Sequence, residues 1–190
     1  LAKILTEMEK TGALLDVGYL KNLSEEKHRE LESLEKKIWE LAGGEFNINS
    51  PKQMGEVLFV KLGLGGAKPK KTATGAYSTN VSQLIKLKGT HPIIGELMEY
   101  REISKLVSTY IDALPKLADK ENRLHTHFDS FGAVTGRLSS QNPNLQNIPK
   151  KTERGREVRR AFIADKGYKF ADFDYSQIDL RAAAILSGDK

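Results

Sequence analysis

The chain has 190 residues, 39% hydrophobic and 29% charged, with a net charge of +5. That suffices for one large domain or two small ones, and no apolar run approaches the roughly 18 residues of a membrane span. Without Cys there are no disulfides or cysteine zinc sites, the four His stand at no metal-ligand spacing, and no secretory signal opens the chain. An amphipathic pattern already runs at Leu1, and Lys190 arrives as a helix finishes, so the chain reads as a cut piece of a longer one.

Leu1, Ile4, Leu5 and Met8 form an apolar stripe stopped near Gly12. A long helix is expected from about Val17, with Leu31, Leu34, Ile38 and Leu41 on one face and Gly43-Gly44 as its C-cap. Ser50-Pro51-Lys52-Gln53 predicts a capped helix start with Gln53 completing a capping box, and a helix to about Leu62. Residues 63–77 read as a loop, Ser78 or Thr79 as the cap of a helix over Val81 to Leu87, and Pro92 to about Leu114 as a second long helix. Arg123 to Phe131 alternates as a strand, Thr135 to Pro149 reads as an ordered polar loop, and Glu157 to Ile163 as a short helix. Tyr168 to Phe173 is expected to be a strand entering Asp174, followed by a helix from Gln177 to Leu186. Trp39 and the apolar helix faces are expected in the core; His125 and His127 are expected to hydrogen-bond locally.

Charge is uneven along this order. Val57 to Gly95 contains no Asp or Glu but holds Lys61, Lys68, Lys70, Lys71, Lys86 and Lys88. A second basic cluster is Lys150, Lys151, Arg154, Arg156, Arg159 and Arg160. Solvated surface is the plain reading of either one; two clusters beside turn-rich loops favour phosphate contact.

The junction Asp172-Phe173-Asp174-Tyr175-Ser176-Gln177-Ile178-Asp179-Leu180-Arg181 carries the chemistry. By position alone Asp174 reads as a helix N-cap. A carboxylate at a strand end also suits a hard cation. The stretch resembles the first catalytic motif of family A (DNA polymerase I type) polymerases, D-Y-S-Q-I-E-L-R. Thr135-Gly136-Arg137-Leu138-Ser139-Ser140 and Asn142-Pro143-Asn144-Leu145-Gln146-Asn147-Ile148-Pro149 are similar to that family's T-G-R-L-S-S and D-P-N-L-Q-N-I-P. Ser50 to Gln53, Lys71 to Gly75, and Tyr100-Arg101 through Asp112 resemble its thumb, so the likeness covers nearly the whole chain.

The resemblance implies an α+β fold: a long-helix thumb over residues 1–120 with a helix-loop-helix tip, then the first part of an antiparallel-sheet palm over 121–190. It implies that Asp174 binds two Mg2+ ions and that the Tyr175 carbonyl ligates one. Arg137 would reach the primer terminus, Asn144, Gln146 and Asn147 would lie along the primer-template path, and Lys151 would meet phosphate. Arg101, Lys105, Ser108 and Thr109 would contact the DNA backbone, with Lys70 and Lys71 closing over the duplex. Ser176, Gln177 and Arg181 belong to the motif; for Gln177 and Arg181 a purely structural role stands equally open. Partners would be primer-template DNA and deoxynucleoside triphosphates, with no membrane and a monomeric protein. The setting would be cytoplasmic or nucleoid-associated in a bacterium, with organelle or viral origin left open.

Three departures stand out. Asp179 replaces the family's Glu, one methylene longer, which fills the space of a ribose 2′-hydroxyl, so ribonucleotide rejection is in question. Asn142 replaces Asp, and Lys151 replaces Arg with loss of bidentate geometry. Asp172 shares the strand face of Asp174, as an added ligand or, the favoured reading, a solvated or paired carboxylate. The family's fingers helix, its later H-D-E motif and its exonuclease domain are not among these residues, so the piece alone is expected to be inactive. The alternative is a non-catalytic DNA-binding module.

Overall fold

The structure, a computed structural model, describes residues 1–65, 71–72 and 75–188. The mixed α+β class is as expected. Its first helix, α1 (Ala2–Thr11), ends at Gly12, whose φ of 63° suits glycine and where a Cβ would lie 2.8 Å from the Leu124 carbonyl. Of the apolar stripe only Leu5 is buried; Ile4 remains 61% and Met8 48% exposed, because α1 touches the body along one edge. Strand β1 (Ala13–Leu14) pairs antiparallel with β2 (Arg123–Leu124), which brings residues more than a hundred positions apart side by side.

Helix α2 (Val17–Ala42) starts where the Asp16 carboxylate accepts the Tyr19 amide and stops at a left-handed Gly43, φ 68°. Its buried stripe, Leu20, Leu23, Leu34 and Ile38, packs on α5 (Ile93–Leu106), which buries Ile93, Ile94, Leu97 and Ile103. Each such side chain contributes about 1.5–3 kcal/mol relative to exposure, so this seam dominates the fold. The α5 axis runs on as a π-helical turn, Val107–Ile111, and a short helix α6 (Leu114–Leu117) follows. Asp112 accepts from Ser24 Oγ at 2.7 Å and meets His28 at 3.0 Å, fastening that end to α2; Trp39 is half-buried and donates to the Phe46 carbonyl at 2.8 Å.

Helix α3 (Pro51–Gly55) begins at Ser50 as expected and continues as a π-helical turn, Glu56–Lys61. The capping box is only half formed: Ser50 Oγ accepts the Gln53 amide, but Gln53 Oε1 accepts from the Asn47 amide at 2.7 Å, because the Ser50 amide already donates to Asn47 O. The cap of α4 (Val81–Lys86) is Asn80, at 3.0 Å from the Gln83 amide, and not Ser78 or Thr79, both of which are buried.

The expected strand over 123–131 is two strands. Between β2 and β3 (His127–Asp129) the chain turns from one sheet to another, and Thr126 is buried at the break. Strand β4 (Ser139–Gln141), inside the expected polar loop, pairs antiparallel with β3, Phe128 facing Ser140. Helix α7 (Glu153–Arg159) starts earlier than expected because Thr152 caps it through the Gly155 amide at 3.1 Å. Residues 168–173 form no strand: among the described residues no strand pairs with them, and Tyr168, Phe170 and Phe173 are 77%, 71% and 93% exposed. The last helix, α8 (Ile178–Ser187), buries none of its residues, so its expected apolar face of Ile178, Ala182, Ile185 and Leu186 is exposed. Among the described residues no helix is long and apolar enough to cross a membrane.

Candidate nucleic-acid interface and metal ligand

Asp174 lies exposed in the irregular stretch before α8. The helix starts three residues later, at a Gln177 cap with φ 53° and no side-chain cap bond, so Asp174 is not its N-cap. Arg181 Nε donates to the Ser176 carbonyl at 3.0 Å, which folds the motif's own turn onto the first turn of α8. That gives Arg181 a structural task; Asp172, Tyr175, Ser176 and Gln177 are exposed.

In the first turn of α8, Asp179 meets Arg137 Nη2 at 2.8 Å, joining two of the expected site residues. Arg137 follows a Gly136 with φ 73°, on a loop held from below by buried hydroxyls. Thr126 Oγ1 lies 2.6 Å from Ser140 Oγ and donates to the Pro143 carbonyl at 2.8 Å, and Ser140 Oγ accepts the Leu145 amide at 3.0 Å. Asn144 Oδ1 accepts the Gln146 amide, and Gln146 Nε2 donates to the Leu138 carbonyl, both at 3.0 Å. These two amides thus shape the loop. Asn147 is exposed, and its carbonyl accepts from Tyr110 Oη at 2.7 Å.

The basic cluster after this loop is partly neutralised by its own neighbours. Arg156 and Arg160 pair with Glu153, and Arg154 with Glu30, Glu99 and Glu102. Lys150, Lys151 and Arg159 are exposed and, among the described residues, in no ion pair.

Lys105, Ser108 and Thr109 are exposed along one face of α5 and its continuation. Ser108 Oγ donates back to the Ser104 carbonyl at 2.8 Å. Arg101 departs from the expected DNA contact. Its guanidinium turns inward to the Thr79 carbonyl, to Thr79 Oγ1 at 3.1 Å and to Met54 Sδ at 3.0 Å, and burial pulls its pKa down. Lys71 Nζ sits 5.3 Å from the centre of the Tyr77 ring, which packs on Phe59; Lys70 lies outside the described residues.

The Asp174 carboxylate and the Tyr175 carbonyl are hard oxygens of the kind Mg2+ accepts, so the donors fit in type. They are few: among the described residues no group of three or more His, Cys, Asp or Glu gathers to hold a metal ion.

Sequence reasoning missed one assembly. Lys27 is buried, 6% exposed, and meets Glu26 at 3.1 Å, Glu30 at 3.3 Å and Glu157 at 3.1 Å. The signal was present: Lys27 falls four residues after Leu23 and seven after Leu20, on the buried stripe of α2.

Exposed lysines on α5 and before α7, and an exposed Asp before the last helix of an α+β chain, are the features to set beside known proteins. The model of DNA polymerase family A matches residues 17–190, and the chain belongs to that family. It is 47% identical over its full length to DNA polymerase I of Chloroflexus aurantiacus and 49% identical to the thermostable DNA polymerase I of Thermus aquaticus, covering 20% and 23% of those proteins. It thus spans about a fifth of the length of these relatives. Among solved structures it resembles the POL domain of Pol1 from M. smegmatis in complex with DNA primer-template and dNTP, with a TM-score of 0.84 and 40% identity over 97% of this chain and 32% of that one.

Proposed function

We propose that these residues serve template-directed DNA synthesis: residues 1–120 act as a thumb gripping primer-template DNA, and 121–190 open a palm that presents Asp174. The observation that carries the reading is the exposed Asp174 at its motif's turn, in a chain that matches a primer-template complex along nearly its whole length. Lys105, Lys150 and Lys151 supply point charges to phosphate, the Thr109 hydroxyl donates a hydrogen bond, and Ser108 offers its oxygen lone pairs to a water-bridged contact. Such contacts are indifferent to sequence, which copying any template requires. Arg137 leaves Asp179 to enter the minor groove at the primer end. Asn144 and Gln146 shape the loop that carries Arg137, and Asn147 lies along the same path. Arg101 braces the thumb from inside, while Lys70 and Lys71 meet the duplex from the thumb's tip. Asp179 borders the sugar of the incoming deoxynucleoside triphosphate.

Asp174 and the Tyr175 carbonyl would hold Mg2+. When bound, such ions stabilise charge on the primer 3′-oxygen and the triphosphate. One carboxylate is an incomplete site, so synthesis needs a second carboxylate outside residues 1–190. The polymerase works as a monomer in the cytoplasm, as a bacterial setting implies.

The test is a salt titration of primer-template binding by the 190 residues, with a nucleotide-incorporation assay alongside. Binding is expected to weaken with salt, with a slope of about −0.9 per phosphate engaged. Lys105→Ala is expected to reduce that slope by about one unit, with no incorporation by the isolated chain. Salt-independent binding, or incorporation without further residues, overturns the reading.

A further inference from the structure

The ion network around buried Lys27 and half-buried Arg154 does not belong to the grip itself. It joins three helices. Lys27 and Glu30 come from α2, Glu99 and Glu102 from α5, and Arg154 and Glu157 from α7. Arg154 reaches Glu30 at 2.8 Å, Glu102 at 3.3 Å, and Glu99 as well. Glu157 Oε2 is buried, meets Lys27 as its ion partner and accepts no aligned hydrogen bond.

Two cations thus hold carboxylates that outnumber them, in a partly dry place. Such networks contribute little net stability compared with apolar packing of similar size, because desolvation offsets attraction. Their directional bonds do fix geometry. Arg154 suits that task, since a planar fork spans several carboxylates where an ammonium spans fewer. Hydrogen bonds hold the Lys27 pKa up and the Glu30 pKa down against their burial, which otherwise acts the opposite way on each.

Helix α7 needs this help. It has seven residues, and of these only Gly155 and Val158 are buried. Arg154, Glu157 and Val158 share its inner face by spacing. The exposed Lys150 and Lys151 immediately precede its Thr152 cap. On the other side, Lys105 stands one turn beyond Glu102 on α5. Lys105, Glu99, Glu102 and Arg154 together line a cleft of about 680 Å³ among α4, α5 and α7. The network therefore sits between two groups of exposed cations.

We propose that Lys27, Glu30 and Arg154 are positioning residues: through Glu99, Glu102 and Glu157 they set the separation of the Lys105 face from Lys150 and Lys151, so that both meet one DNA duplex at once. This rests on the DNA-binding reading above, and the experiment has two arms so that the two fail separately.

The first arm needs no DNA. The chain has no Cys, so Lys105→Cys and Lys150→Cys give a clean pair of spin labels for pulsed dipolar distance measurement. The parent pair is expected to give one narrow distance, and adding Glu99→Gln with Glu102→Gln is expected to broaden or shift it. Arg154→Lys, which keeps the charge and loses the fork, should broaden it less and serves where the double variant fails to fold. An unchanged narrow distance in a variant overturns the proposal.

The second arm measures primer-template affinity by anisotropy across salt, on the chain with its lysines intact. Glu99→Gln with Glu102→Gln adds two net positive charges, so charge alone predicts tighter binding. Positioning predicts the opposite sign: about tenfold weaker binding, with a salt slope about one to two units shallower as one cation group disengages. Tighter binding, or a fall in thermal stability with affinity and distance unchanged, sinks the positioning role. Absence of DNA binding by the parent chain, with the distance still broadened in the variant, sinks the DNA reading instead.

Discussion

Helices α5 and α8 are both rich in Ile, Leu and Ala or Gly, yet the structure treats them in opposite ways. Ile93, Ile94, Leu97 and Ile103 of α5 are fully buried, whereas Leu180, Ile185 and Leu186 of α8 are 66%, 81% and 88% exposed. The first helix meets α2 along its length; the second meets nothing among the described residues that covers it. The residues that define the family most sharply therefore lie where the fold gives them least support. Stability resides in the body, and Asp174, the proposed metal ligand, is carried on a segment that contributes little to it.

The largest expected effect tests that division. Ile103→Ala should cost about 2–5 kcal/mol, through lost transfer energy and the cavity left behind. Ile185→Ala should change stability by less than about 0.5 kcal/mol, as exposed substitutions do. Denaturant unfolding of both variants decides it. A comparable loss from Ile185→Ala would mean that α8 is packed in solution, and the contrast would fall.

Next is Arg154. Its removal leaves Glu30, Glu99 and Glu102 without their shared cation, and Arg154→Ala should cost about 2–3 kcal/mol, reduced from the fully buried case by its residual exposure. Arg159→Ala, at an exposed position with no ion pair among the described residues, should be close to neutral. Thermal unfolding of the pair separates a built network from incidental surface charge.

Much of this was legible. The period of Leu34 and Ile38, the αL stop at Gly43 and the Ser50 start follow from local rules, and those rules held where a partner helix lay beside them. The strand expected over Tyr168 to Phe173 did not form because alternation specifies a face but supplies no neighbour to bond. The Asn80 cap was missed because Ser78 and Thr79 are equally good caps in isolation; burial of both, with Thr79 bound to Arg101, left the role to Asn80. Arg101 looked like a phosphate contact in the motif, and only the fold reveals the Thr79 carbonyl and Met54 sulfur that hold it. The pairing of Arg137 with Asp179 crosses 42 residues, and no periodicity reports such a contact.

A smaller effect belongs to the caps. Asn80→Ala removes an acceptor from the Gln83 amide and should cost about 1 kcal/mol. Gln177→Ala removes no cap bond, because the Gln177 side chain makes none, and should leave global stability unchanged within a few tenths of a kcal/mol. If the two losses prove equal, α8 is coupled to the body more tightly than its exposure indicates.

The smallest effect probes α1, which lies between the two extremes: its apolar stripe is mostly exposed, yet polar contacts tie it down. His125 Nδ1 donates to the Glu9 carbonyl at 2.7 Å, and Nε2 meets the Asp119 carboxylate at 3.1 Å. The Glu9 carbonyl first, and Asp119 second, hold the His125 pKa above its ordinary 6.5. The folded state therefore binds this proton more tightly than the unfolded one. The stabilisation is fully present below about pH 6.5 and fades as pH rises through the raised folded value. Because His125 is well exposed, solvent limits the effect to a few tenths of a kcal/mol. The difference in melting temperature between the parent chain and His125→Asn should accordingly be larger at pH 6 than at pH 9. A difference that grows with pH would show that the imidazole is held neutral, and that α1 is fastened by Arg123 to the Thr11 carbonyl and by Glu9 to the Phe128 amide instead.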